Sequence, residues 1–114
     1  MANEITSLKL SDRACLVAAP FFRETSGDIS AENTGITAMT VAPGGLSFVM
    51  TGTWSATVFL QFKPTGGSTW YDVASYTANA FINQLVWASG TVRLFVKTGG
   101  YSSGPVTCWM GQGV

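Results

Sequence analysis

Trp54-Ser55-Ala56-Thr57-Val58-Phe59-Leu60-Gln61-Phe62, then Lys63-Pro64-Thr65-Gly66-Gly67-Ser68, then Thr69-Trp70-Tyr71-Asp72-Val73-Ala74-Ser75, reads as strand, turn, strand. Successive side chains of a strand leave opposite faces, so strict alternation of character marks a half-buried strand. Trp54, Ala56, Val58, Leu60 and Phe62 share one face, while Ser55, Thr57, Phe59 and Gln61 share the other. Pro64 and the pair Gly66-Gly67 then break the pattern, because glycine reaches the positive φ that a hairpin connection needs.

The same period of two runs outward from this hairpin, and no helical stripe competes with it. Ala80–Ala88 reads as a strand, Ser89-Gly90 as a turn, and Thr91–Lys97 as a strand with Val92, Leu94 and Val96 opposite Arg93, Phe95 and Lys97. Pro105–Met110 reads as a closing strand, with proline at its first position where a missing N–H matters least. Upstream, Arg13–Ala19, Ile36–Val41 and Leu46–Met50 read as strands, the last two separated by Ala42-Pro43-Gly44-Gly45. Residues 1–12 are expected to form an N-terminal arm, and Glu24–Gly35, read as carrying no core-forming residues, an exposed polar loop. About eight strands with frequent turn signals predict an all-β, single-domain antiparallel sandwich of jelly-roll-like or small-barrel type spanning residues 1–114.

Charged residues make up 11% of the 114 residues, against roughly 25% in an average soluble domain. Two readings account for this: Thr, Ser and Asn form the solvent face, or partner subunits cover much of the outside. Six basic and six acidic residues are scattered singly, so no basic stripe for nucleic acid and no polybasic attraction to a membrane is expected. Met1–Leu10 lacks a basic start followed by an apolar run, so no secretory signal is expected. Cys15 and Cys108 read as two buried thiols in a reducing compartment, or as a disulfide between terminal strands outside the cell.

The chain has no histidine, which removes the commonest general base and metal ligand. Glu24, Asp28 and Glu32 are spaced by four residues but lack the Asp/Asn alternation, glycine and terminal glutamate of a calcium loop. The glycine pairs sit in turns without the strand–helix context of a phosphate cradle. No enzymatic activity, catalytic residue, cofactor or metal is therefore expected. Four Trp, three Tyr and seven Phe carry the remaining information. Phe59 and Phe95 lie on the polar faces of their strands, so either both faces are covered within the domain or a partner covers them. Phe59, Arg93, Phe95 and Trp109 are the expected partner contacts, because aromatic and arginine anchors are enriched at interfaces. Trp70-Tyr71 with Trp87 and Trp109 could alternatively form a sugar-stacking platform.

Leu60-Gln61, Gly66-Gly67-Ser68-Thr69-Trp70, Val73–Asn79 and Arg93–Tyr101 together resemble a pattern in small β-rich virion proteins of tailed bacteriophages. The resemblance covers roughly the C-terminal half. It implies capsid decoration or cement, a head fibre, or a tail accessory. Its first implication is a protein that stabilises the capsid exterior of the virion, binds the major capsid protein and self-associates as a homotrimer. Such a protein is made in the host cytoplasm; Thr25–Thr34 and the residues before Arg13 would then serve as clamps. A tail or head–tail connector accessory and a carbohydrate-binding module on a fibre are the alternatives. The hairpin is also similar to the aspartate-box hairpin of sialidases. It departs from it at Lys63 and Thr65, and the box is structural, so no glycosidase activity is implied.

Overall fold

The computed structural model describes residues 22–113. The expected arm, the strand at Arg13–Ala19 and Cys15 lie outside the described residues. Eleven strands follow in order: β1 (Phe22–Ile29), β2 (Thr34–Gly35), β3 (Met39–Val41), β4 (Gly44–Thr51), β5 (Ser55–Ala56), β6 (Val58–Pro64), β7 (Tyr71–Tyr76), β8 (Ala80–Val86), β9 (Gly90–Val96), β10 (Tyr101–Ser103) and β11 (Val106–Gly113). No helix interrupts them.

The strands build two antiparallel sheets. Sheet I has the order β1-β11-β4-β8, and sheet II the order β2-β9-β6-β7 with β3 also paired to β9. A short β10-β5 pair stands apart. The pairings are nested: β1 with β11, β3 with β9, β4 with β8, β6 with β7. Successive pairs fall alternately in sheet I and sheet II. A long antiparallel ribbon rolled up on itself gives this order, which is the jelly roll.

Between the sheets the alternation read from sequence holds. Val58 and Leu60 of β6, Val92, Leu94 and Val96 of β9, and Leu46, Phe48 and Met50 of β4 are buried together with Val106, Cys108 and Met110 of β11. Each such side chain contributes roughly 1.5–3 kcal/mol on leaving water. Trp54, Ala56 and Phe62 pack partly buried against the same core. The long strand expected from Trp54 to Phe62 is split at Thr57, whose N–H donates to the carbonyl of Gly100 (2.8 Å) and hands β5 to β10.

The segment expected as a loop from Glu24 to Gly35 is instead β1 as far as Ile29, then a turn and the two residues of β2. Its side chains are mostly exposed, as expected, but Ile29 is buried in the core, against the expectation of no core residue, and the segment's backbone pairs with β11 along the full length of β1. The apolar inner face that would have betrayed a strand is missing for a packing reason. Thr25 donates its hydroxyl to the carbonyl of Thr37 (3.0 Å), and Gly27 leaves room for Ile36. Beyond Ile29, a side chain of the neighbouring segment thus fills the core where β1 offers only Gly27.

Two buried details hold the roll together. Gln112, 1% exposed, donates Nε2–H to the carbonyl of Ala42 (2.7 Å) and accepts the Ala42 N–H at Oε1 (2.8 Å). The bend between β3 and β4 is thereby fastened to β11. Gly90, paired with Pro64, lies so close to the backbone of Lys63 and the ring of Phe62 that a Cβ there would collide with both.

Gln112→Leu keeps the volume but strands both backbone groups of Ala42. With about 1–3 kcal/mol for each unsatisfied buried group, chemical denaturation should show a loss of about 2–4 kcal/mol. A loss below about 0.5 kcal/mol would show that water replaces the side chain.

Candidate functional site: a cationic aromatic face

Sheet II turns its polar face away from sheet I, and the pairing of β6 with β9 sets what meets there. Phe59 lies opposite Phe95, Gln61 opposite Arg93, and Lys63 opposite Thr91. Lys97 follows on the same face of β9, since side chains two residues apart share a face.

β7 completes the face through a bulge. Leu60 pairs with Ala74, but the next residue, Gln61, pairs with Asp72, so Val73 is the extra residue. Strict alternation would send Asp72 to the core side with Ala74 and Tyr76. The bulge reverses it and sets the carboxylate beside Gln61, where it can be solvated and paired.

A continuous chain of contacts results. Lys97 pairs through Nζ with Asp72 Oδ2; Gln61 donates Nε2–H to Asp72 Oδ1 (3.0 Å); Arg93 donates Nε–H to Gln61 Oε1 (2.8 Å). The cations also cover rings. The Arg93 guanidinium lies 4.1 Å from the centroid of Trp70 and 4.0 Å from that of Phe95. The ammonium of Lys97 lies 4.3 Å from the Phe59 centroid, and that of Lys63 5.0 Å from Trp70. Each such contact contributes roughly 0.5–2 kcal/mol, more as water is excluded.

These contacts fix the electrostatics. The hydrogen bond from Lys97, then that from Gln61, hold the Asp72 carboxyl below its ordinary value of 3.8. Burial lowers the pKa of Arg93, whose guanidinium nonetheless stays charged at neutral pH. Three cations face one carboxylate, so the plate is net positive. The other described acids lie elsewhere: Glu24 and Asp28 on β1, and Glu32 in the turn before β2, where it accepts the N–H of Gly99 (2.8 Å).

Of the four expected contact residues, Phe59, Arg93 and Phe95 come together on this face. Trp109 does not. It lies on the outer face of sheet I, in β11 opposite Ser26 and Val49, and donates its indole N–H to Glu24 Oε1 (2.9 Å). Its ring lies over Gly111, where a Cβ would strike it. Gln61 takes the face that alternation gives it, and Trp70 stands here rather than beside Trp109 on sheet I; only Asp72 was missed, because it joins the plate through the bulge at Val73. Cys108 is buried in the core, and its thiol is pushed up to about 12 by burial and secondarily by Asp28. Among the described residues no three His, Cys, Asp or Glu side chains gather as a metal site.

The chain matches no family model, no curated protein and no solved structure.

The depressed Asp72 titration carries a sign. Its stabilisation is present above the unfolded carboxylate pKa near 3.9 and is lost as pH falls through the lower folded value. A carboxyl NMR titration should place the Asp72 midpoint below 3.8, and Lys97→Met should raise it. An unmoved midpoint in that variant would remove Lys97 as the cause.

Proposed function

We propose that this chain is a non-enzymatic structural protein that acts through protein–protein contacts, docking the cationic aromatic face of sheet II on an acidic or carbonyl-rich protein surface. The observation that carries the reading is the held guanidinium of Arg93. It is clamped between Trp70 and Phe95 and oriented through Gln61. Among the described residues only its Nε–H has a hydrogen-bond partner. An arginine has five donors in a rigid fork, and its terminal N–H groups, without a partner among the described residues, suit a carboxylate or carbonyl. Little side-chain entropy is left to lose on docking, which favours affinity.

The resemblance of the C-terminal half to phage virion proteins makes a capsid shell the partner we favour, with the chain decorating and cementing its exterior. The low charge and the missing histidine agree with a protein whose work is contact. A sugar platform is less well supported on this face, since the rings of Trp70, Phe59 and Phe95 already carry cations.

The test is co-sedimentation of the purified chain with emptied capsids of the particle that carries it. Saturable binding is expected, weakening with salt. Arg93→Ala should lose about 2 kcal/mol, a roughly thirtyfold rise in Kd. Arg93→Lys should recover little of it, because an ammonium cannot reproduce the planar fork. Absence of saturable binding, or an Arg93→Ala variant that binds as well as the parent, would overturn the reading.

A further inference from the structure

The free edges of the two sheets differ in a way that bears on self-association. An edge strand offers unpaired N–H and C=O groups, and proteins that stay monomeric blunt such edges with charge, proline, bulges or brevity. β1 carries Arg23, Glu24 and Asp28. β2 and β3 are two and three residues long. β7 has Asp72 and the bulge at Val73. β8 has none of these protections. It runs Ala80-Phe81-Ile82-Asn83-Gln84-Leu85-Val86, seven residues without charge or proline, and pairs with β4 in unbroken register. Among the described residues nothing pairs with its other edge.

The same edge is apolar. Phe81 is 64% exposed, Leu85 49% and Trp87, just beyond the strand, 83%. Beside it, where β7 and β8 border the gap between the sheets, an apolar cavity of about 180 Å³ is lined by Leu60, Phe62, Val73, Leu85, Val86 and Trp87 among others.

We infer that β8 pairs antiparallel with β8 of a second copy, joining sheet I of each into one eight-stranded sheet across a twofold axis. The sequence of the strand is self-complementary for this pairing. With Asn83 on the axis, Phe81 of each copy faces Leu85 of the other, so the two exposed apolar residues on the outer face pair twice. No charge on β8 opposes itself across the axis. The added strand lies over the mouth of the cavity, next to Val73 and Tyr71. At roughly 150–250 Å² for an aromatic side chain, complete covering of the exposed parts of Tyr71, Val73, Phe81, Leu85 and Trp87 would bury at most about 1,200 Å² over two copies, which reaches only the lower end of what a specific interface buries. The symmetry is twofold, in place of the trimer the resemblance implied, and leaves the cationic face of sheet II open.

The test uses the full chain and its mass by light scattering over a dilution series, which reads independently of capsid binding. The parent should be a dimer. Phe81→Lys with Leu85→Lys sets like charges opposite each other twice and removes four apolar side chains from the interface, so association should weaken by about a hundredfold or more. Phe81→Lys with Leu85→Glu sets opposite charges across the axis in both pairs and should restore a dimer that weakens with salt. Both positions face outward, so the β-sheet circular dichroism of the variants should match the parent. A parent that is monomeric or trimeric at every concentration would overturn the inference. So would a double-lysine variant that remains a dimer, or a lysine–glutamate variant that stays monomeric. A monomer in which the β8 amides pointing away from β4 are protected would assign that edge to another segment of the same chain and equally overturn it.

Discussion

The pairing of β11 between β1 and β4 is the interaction on which the rest of this molecule depends. β11 is the last strand described, and it lies between the first strand and the middle of the chain. Without it sheet I has no centre, and the core side chains of sheet II face water. Its own inner face supplies Val106, Cys108 and Met110, and its Gln112 fastens the bend between β3 and β4. The hairpin of β6 and β7 forms from local contacts, whereas β11 must find a strand that lies more than seventy residues away. Nested pairing of this kind carries a loop-closure cost that is recovered only when the outermost pair forms.

A two-sheet sandwich has two inner faces and two outer ones, and only the inner faces can be dry within a single copy. This chain places aromatic residues on both outer faces and treats them differently. On sheet II the rings of Phe59, Phe95 and Trp70 are covered by the chain's own cations, and those cations are held by Asp72 and Gln61. Gln61 is 5% exposed, although it sits on the outward face. On sheet I, Trp109 is tied to Glu24 and rests on Gly111. Among the described residues nothing covers Phe81, Leu85 and Trp87 in this way. The scarcity of charge seen in the sequence is therefore uneven in space, with Lys63, Arg93 and Lys97 gathered on one plate and an uncharged apolar edge at β8.

The legible part of the fold was the part governed by period-two alternation. Val58, Leu60, Val92, Leu94 and Val96 announced the inner faces of β6 and β9, and through them the grouping of Phe59, Arg93 and Phe95. β1 was illegible because its inward positions, Thr25 and Gly27, are filled by a hydrogen bond and by Ile36 from another segment. The bulge at Val73 was illegible too, since an extra residue in a strand leaves no mark in composition. It decides the site nonetheless, by turning Asp72 outward. The exposure of β8 depends on strand order, which no local pattern carries. Phe81 and Leu85 look like core residues until β8 is known to be an edge.

The central claim is that the apolar edge at β8 is an interface, while the closed roll behind it is complete in one copy. Residue-resolved amide hydrogen exchange of the full chain at high and low concentration tests this most directly. The account predicts that the β8 amides pointing away from β4 are protected in concentrated solution and exchange faster on dilution, while those of β11 stay protected throughout. Fast exchange of those outward β8 amides at every concentration would contradict it.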